Sequence, residues 1–591
     1  MDTSQPLQFS DYFVIVGYFT ILLVTALYFS RRTKLSADFF TAGGNVPWWL
    51  AAISFFMASH SALSFIMYGE LAYKYGITGV VIFQTTIVSL SLAGLYVAKR
   101  WRRSRTVTPV QFLEKRYSLG IRQALAWTGF PIRIIDDALK IFSTAIFLYV
   151  GMKLSIVSLP MAIGIAGSIM IIYAVLGGQM GIIMTDFLQF AIKMVIVGFI
   201  FVLTLIKFIH LGFSLDQFPA GFLNPLSGSY HELNYISFII LMIISLNSGW
   251  ALVQKYNCVA TEKEAQKLAW LVAGLNFIAP VIFFLPPLLA RVLLPNLADT
   301  KYAFAELAFT VLPTGMMGML VAGMFASTLS TMGSEFNVLA GILTNDLYKR
   351  IFKPKATEQE LVNVGRTATL AIGGIIIAIG ILLSVLRGLN IFDIMFKSFG
   401  ALLPATALPI LAGFFWRRIT SRGALTGLIA GAVSGVGLVL INMSIVSSYG
   451  LQMSESPPLQ YWLTQGWDAC ALLANIAVTI IAMFLGSPRG SQTPEERSRV
   501  EEYFKDLATP VVPTKEHPLA PATGTNLKIM GATTMCFGGL MMISGLLTLF
   551  SSGDKFSLAT NAFTGGGFFI LGLVLYWKGR RKGVQQHPST E

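Results

Sequence analysis

The residues best suited to chemistry in this chain sit in one apolar stretch, Gly323–Lys349, which reads GMFASTLSTMGSEFNVLAGILTNDLYK. It carries Ser327, Ser330, Thr331, Ser334, Glu335 and Asn337 at steps of three and four, so on a helix they share one face. The rest of that surface is Met, Leu, Phe, Val and Ala. In lipid a polar stripe must face protein, a cavity or an ion, because hydrocarbon cannot hydrogen-bond it. Two roles are open on this stretch alone. Small and hydroxyl-bearing residues let membrane helices pack closely. Hydroxyl and carbonyl oxygens also make a cation site.

Three further stretches place polar groups among apolar ones. After Pro47-Trp48-Trp49, the run Ala58-Ser59-His60-Ser61-Ala62 is small and polar, a natural place for an unwound turn whose carbonyls face inward. His60 at such depth must be paired or hydrated, as a packing histidine or as part of a site. Tyr173–Gln189, YAVLGGQMGIIMTDFLQ, joins two spans through Gly177-Gly178 and puts Asp186 early in the next helix. Asp186 either complements that helix's dipole or serves as a cation exit or gate. Arg133, Asp136, Asp137 and Lys140 lie within one apolar span, and Asp393 and Lys397 lie four apart in another. Internal ion pairs, Asp136–Lys140 or Asp393–Lys397, are one reading, and recognition of a charged or zwitterionic solute is the other.

The elements that hold these groups are membrane helices. Of 591 residues, 54% are hydrophobic and 12% charged. Apolar runs near the spanning length of ~20 residues recur from end to end. The sequence reads as an all-α polytopic membrane protein of about fifteen spans, at 10–30, 45–70, 77–99, 124–150, 157–177, 184–209, 233–254, 268–295, 314–345, 364–386, 391–415, 423–443, 468–486, 528–550 and 561–577. The formal net charge of +14 does not point to nucleic acid, because Lys and Arg fall in short loops between spans. Alternating sides puts the basic loops on one face, hence in the cytoplasm, with the N-terminus outside and the C-terminus inside. Cys258, Cys470 and Cys536 are isolated and make neither a metal motif nor a disulfide framework. No phosphate loop and no cleavable signal peptide is visible, and Arg31-Arg32 after the first span suits an anchor. Prolines interrupt several spans: Pro280 and Pro286-Pro287 in the eighth, Pro404 and Pro409 in the eleventh. The stretch 487–527 reads as a cytoplasmic linker with a short charged helix over Pro494–Leu507, too short for a core of its own.

Several of these motifs resemble one family. FTAGGNVPWWLAAISFFMAS, YAVLGGQMGIIMTDFLQ, the loop from Gln254-Lys255 through Ala260–Lys267, the stripe ending at Thr344–Lys349, and Gly413–Arg422 resemble the sodium:solute symporters, in the right order over about residues 10–440. The resemblance implies a leucine-transporter-like core of two inverted five-helix repeats. The chain then divides into an extra N-terminal helix (1–44), the ten-helix core (45–416, repeats 45–209 and 233–416), two accessory helices (417–486), the linker (487–527) and a C-terminal hairpin with a basic tail (528–591). It implies a sodium ion held by side-chain oxygens of Ser330 and Thr331 and by the carbonyls of Ser327, Met57 and His60, with Asp186 at the exit. Carbonyl and hydroxyl oxygens suit a hard cation, and the lack of a fixed carboxylate keeps it releasable.

The chain departs from the sugar carriers of that family. Their sugar-binding positions fall on Leu63, Ser64, Phe83, Asn276 and Phe396. The pocket reads instead as Ser59, Ser64, Gln84, Ser245, Asn247 and Asn276, with Phe83 and Phe396 as apolar walls. The expected activity is symport of sodium with a small polar solute (sugar, polyol, amino acid or carboxylate) by alternating access. The expected place is the plasma membrane, or the inner membrane of a bacterium, with the lipid bilayer as surroundings, no nucleic acid and no obligatory protein partner. Proton coupling through His60, Glu335 or Asp186 is the alternative, and a sensory transceptor a further one. No enzymatic activity is expected.

Overall fold

The computed structural model describes residues 7–30, 46–106, 109–152, 157–176, 179–226, 230–385, 390–453, 457–512 and 523–585. Gly177-Gly178 and the N- and C-terminal tails lie outside them. Helix α1 spans Phe9–Ser30. The first core span is split into α2 (Trp48–Ser59) and α3 (Ala62–Tyr75), which meet at 58°. The next span, Ile77–Arg103, is built from α4 (Ile77–Gln84), α5 (Thr86–Leu92), a π turn at Ala93–Val97 and α6 (Ala98–Arg103). The short α7 (Pro109–Arg116) leads into α8 (Leu119–Met152), α9 (Leu159–Leu176) and α10 (Gln179–His210).

The second repeat opens as the first does, with a broken span. Helices α11 (Glu232–Ser248) and α12 (Trp250–Asn257) meet at 50°. They are followed by α13 (Glu262–Leu293), the short α14 (Ala303–Val311), α15 (Met316–Gly341, continued by a π turn to Phe352), α16 (Glu358–Val385) and α17 (Ile391–Phe415). Beyond the core come α18 (Ser421–Met453), α19 (Pro457–Leu463), α20 (Gln465–Leu485), α21 (Pro494–Ala508) and the hairpin α22 (Thr523–Ser552) and α23 (Lys555–Gln585).

Among the described residues, ten helices are long and apolar enough to cross a membrane, and each bent pair adds one more. The expected count of fifteen also includes Phe9–Thr25 and Leu159–Val175, which are apolar but shorter. It includes α8 as well, whose middle carries Arg133, Asp136, Asp137 and Lys140.

Helix α15 is the centre of the molecule. Every residue of its 18-residue apolar window is buried, and it packs against α1, α2, α8, α9, α10 and α16. A polar stripe is therefore affordable here, because no lipid touches it.

The structure corrects two expectations. The prolines do not break the eighth and eleventh spans: α13 runs unbroken through Pro280, Pro286 and Pro287, and α17 through Pro404 and Pro409. A proline removes one N–H, and tertiary packing tolerates that in a long helix. The break the reading missed is at Gly249, where φ −60° and ψ 118° end α11. The short charged helix expected over Pro494–Leu507 is present as α21, and it is docked. Its Tyr503 is 1% exposed and packs on Phe112 of α7. Asp506 pairs with Lys115 at 2.7 Å, and Arg105 donates to the Asp506 carbonyl at 2.9 Å.

Candidate functional site

The site forms where the α2/α3 break meets α15. Polar, small residues at 58–62 cannot hold the helix against its aromatic neighbours, and the backbone leaves helical geometry at His60 (φ −134°, ψ 81°). Two hydrogen bonds tie the break to α15. The Thr331 hydroxyl donates to the Ala58 carbonyl at 3.2 Å, and the Ala62 N–H donates to the Thr328 hydroxyl at 3.2 Å. They bracket His60 from either side, so the loosened backbone is pinned over the polar stripe.

The residues expected to hold sodium gather here. The Met57 carbonyl accepts the His60 N–H at 3.3 Å, and the Ser327 carbonyl accepts the Thr331 hydroxyl at 3.1 Å. The hydroxyls of Ser327 and Ser330 are fully buried; that of Ser327 has no partner among the described residues, and that of Ser330 turns toward the Asp186 carboxylate. An unmatched buried hydroxyl is costly, and a hard cation is the kind of group such oxygens satisfy. Ser334 differs, since its hydroxyl donates to the Ser330 carbonyl at 3.3 Å. The Asn337 side chain lies outside the described residues.

Asp186 sits beside this cluster rather than at a helix tip. It is wholly buried, lies two turns inside α10 and accepts a short hydrogen bond from Ser54 of α2. Ser330, Lys255 and Lys193 face it. The sequence reading assigned no role to Lys193, a single cation in an apolar stretch, and took Lys255 as the start of a basic loop, whereas Lys255 is buried in α12.

A cavity of about 190 Å³ opens next to the break. His60, Ser59, Ser64, Phe83, Ser245, Asn276, Thr331 and Glu335 are among the residues that line it. Three expected pocket residues lie elsewhere. The Gln84 amide donates to the Phe277 carbonyl at 3.2 Å. The Asn247 amide is held by Ser89 at 3.0 Å and by the Ile243 carbonyl at 2.9 Å. Phe396 stacks in the Phe238–Phe392 aromatic group behind the cavity wall. A one-residue rotation of 100° on a helix is enough to move a side chain from pocket to packing, and spacing alone does not resolve it.

One wall of the cavity is ionic. Arg133 pairs with Glu335 across α8 and α15, and its guanidinium lies over Trp250 at 4.1 Å. Lys140 pairs with Asp136 at 2.6 Å and Asp137 at 3.0 Å. The expected Asp136–Lys140 pair is present, whereas Lys397 turns from Asp393 to Asp468 of α20 at 3.8 Å. The opposite wall, with Leu63, Met67, Tyr68, Phe83 and Met395, is largely apolar.

A helical membrane bundle with two broken spans and an oxygen-lined cluster at the first break defines a secondary transporter of leucine-transporter-like fold. The comparisons with known proteins give the family. The model of the sodium:solute symporter family matches residues 39–224 and 265–431, and the chain belongs to that family. It is 27% identical over 468 residues to the sodium/glucose cotransporter of Vibrio parahaemolyticus, covering 72% of this chain and 84% of that one. It is 26% identical over 448 residues to a sodium/sialic acid symporter of Aliivibrio fischeri, covering 72% of this chain and 87% of that one. Its fold is similar to that of a Na+-coupled sialic acid symporter solved in a substrate-bound, outward-open state, with a TM-score of 0.63, 21% identity and coverage of 80% of this chain and 97% of that one. The chain is a multi-pass membrane transporter that couples sodium to a solute, and it is not an enzyme.

Proposed function

We propose that sodium binds between the α2/α3 break and α15, and that a small polar solute binds in the adjoining cavity. The sodium ligands are the hydroxyls of Ser330 and Thr331 and the carbonyls of Met57, His60 and Ser327. The observation that carries this reading is a shared wall: His60 and Thr331 belong to the sodium cluster and also line the cavity. An ion that draws the His60 carbonyl and the Thr331 hydroxyl together sets the shape of the solute site. The coupling is then a differential affinity of sodium for the solute-ready state. Membrane potential adds about 2.3 kcal/mol per 100 mV for each charge carried fully across. Asp186, beneath the cluster, gives the departing ion its first negative charge.

The solute is neutral or zwitterionic overall. Arg133 is already engaged by Glu335, and Lys140 by two carboxylates, so an anion would meet no uncommitted cation in the ionic wall. Ser59, Ser64, Ser245 and Asn276 supply uncharged hydrogen-bonding groups, and Phe83 closes the apolar side. Of the relatives named above, the sodium/glucose cotransporter agrees with this reading, whereas sialic acid is an anion, and a neutral polyhydroxylated solute fits these groups. The basic loops face the cytoplasm, in keeping with their clustering at one end of the bundle, where Arg103, Arg105 and Lys115 meet α21 and Arg350 meets Glu114.

The test is thermal-shift screening of purified protein against sugars, polyols, amino acids and carboxylates, with and without sodium at fixed pH. A solute that stabilises only with sodium supports the reading. Stabilisation that follows pH and ignores sodium makes the carrier proton-coupled, and stabilisation by simple carboxylates alone overturns the solute class.

A further inference from the structure

Of the two buried lysines that face Asp186, Lys193 is the one whose ammonium reaches the α2/α3 break, and transport as described so far leaves it without a role. It lies on α10, is fully buried, and points its ammonium at the α2/α3 break. Its Nζ donates to the His60 carbonyl at 3.3 Å and lies 5.0 Å from the centre of the Phe56 ring. Among the described residues it makes no other hydrogen bond and no ion pair.

A buried ammonium has three donors and is normally met by a carboxylate or by several carbonyls. This one has a single carbonyl and an aromatic face. The charged groups around it are Asp186 on its own helix, which acts over two turns, and Lys255 of α12, which also faces Asp186. The imidazole of His60 turns its Nδ1 to the Phe56 carbonyl at 2.7 Å and to Ser59, so it does not serve the ammonium.

We propose that Lys193 is a tethered cation that holds the His60 carbonyl while sodium is absent and is displaced when sodium binds. The inference rests on the sodium site described above. Two cations cannot share one carbonyl oxygen in a dry site without strong repulsion, so sodium enters only as the ammonium swings off. The lysine thereby sets how much sodium is needed to load the carrier. It also keeps the emptied site from standing as a cluster of unmatched oxygens during the return step. The thin coordination of the ammonium suits a group that must leave on each cycle.

The experiment titrates sodium into the purified full-length protein and follows thermal stability and bound radioactive sodium, with no solute present. Removing the competing charge in Lys193→Met, and separately in Lys193→Gln, should lower the half-saturating sodium concentration by about tenfold or more. Lys193→Arg keeps the charge and should not tighten binding. Ser330→Ala is titrated alongside. If both neutral variants bind sodium at wild-type or weaker affinity while Ser330→Ala weakens it, Lys193 is a structural cation and the proposal is overturned. If Ser330→Ala and Thr331→Ala leave sodium binding unchanged, the sodium site itself is misplaced and the proposal falls with it. Two neutral replacements of different polarity are used so that a folding defect in one leaves the other to decide.

Discussion

Ser330 and Ser334 sit one turn apart on α15, and their hydroxyls differ in one respect: Ser334 donates to a carbonyl of its own helix, while Ser330 turns toward the Asp186 carboxylate beside the break. Removing the Ser330 hydroxyl deletes a ligand without adding bulk. Losing one uncharged partner in a dry site costs about 1–3 kcal/mol, a factor of roughly ten to a hundred in affinity. Ser330→Ala should therefore raise the sodium concentration for half-maximal uptake in proteoliposomes by that factor, with excess sodium restoring the rate. Ser334→Ala should leave it near wild type. Normal sodium dependence in Ser330→Ala would return the stripe to helix packing. Asp186 acts by charge on Lys193 and Lys255, the two buried lysines that face it. Asp186→Asn should weaken sodium affinity about tenfold and lower the unfolding temperature, checked by sodium titration and thermal unfolding on one preparation. The expected ligands came from the family resemblance, with Pro47-Trp48-Trp49 and Asp346 anchoring the count on two separate spans, and the structure brings those residues to one break. Lys193 was not legible in the sequence, since a lone lysine in an apolar helix looks the same whether it snorkels to the surface or points at a carbonyl.

The helices outside the core brace the one that carries the site. Gly315, at φ +86°, starts α15 in the left-handed region, and a Cβ there would lie 2.6 Å from Asn561 of α23 and 2.7 Å from Ser544 of α22. Asp11 of α1 accepts from the N–H groups of Gly315 at 2.7 Å and Gly318 at 2.8 Å, and the Asn561 amide donates to the Thr314 carbonyl at 2.8 Å. The N-terminal helix and the C-terminal hairpin thus cap the sodium helix together. A buried carboxylate on a helix N-terminus satisfies orphan donors and complements the dipole. Asp11→Ala leaves those donors unmatched and should cost about 1–3 kcal/mol in thermal unfolding, with sodium dependence retained in the folded fraction. The hairpin itself is held by glycines a heptad apart on each helix, Gly531 and Gly538 on α22 facing Gly572 and Gly565 on α23: a Cβ on Gly538 or on Gly565 would come within 2.6 Å of the other's carbonyl. Such close backbone approach is how small residues join membrane helices. None of this was legible beforehand. Apolar spans announce themselves by composition, but which span caps which is decided by pairs hundreds of residues apart. The Gly249 break and the intact α13 and α17 teach the same lesson, since a proline marks where a helix can bend and packing decides whether it does.

At the scale of the whole molecule, alternating access requires two groups of core helices to move against each other, and α21 lies across both. Its C-terminal end touches the second core span, where Arg103 of α6 donates to the Leu507 carbonyl at 3.2 Å, and the chain just beyond it touches the second repeat, where the Val511 N–H donates to Glu262 of α13 at 3.2 Å. Its middle grips α7, through Tyr503 on Phe112 and Asp506 on Lys115, and α7 leads directly into α8. Its N-terminal end holds the last core loop, where Glu496 accepts from the Ser421 N–H at 2.6 Å. With the orientation proposed above, in which the basic loops face the cytoplasm, the strap joins elements that must separate if the cytoplasmic side is to open, so loosening it should favour the inward-facing state. The exposed Lys115–Asp506 pair contributes at most about 1 kcal/mol, because water screens it. The buried Tyr503 ring contributes more, about 3–5 kcal/mol on the scale of large aromatic truncations. Tyr503→Ala should therefore raise cytoplasmic accessibility strongly, and Asp506→Ala weakly, as read by labelling of a single cysteine placed on the inner end of α6 after Cys258, Cys470 and Cys536 are replaced. In the same preparations saturating sodium should pull Tyr503→Ala back toward the outward-facing state, since sodium bound at α15 favours that side. Equal labelling of Tyr503→Ala and the unmodified strap, with sodium and without, would make α21 a passive cover over the cytoplasmic loops.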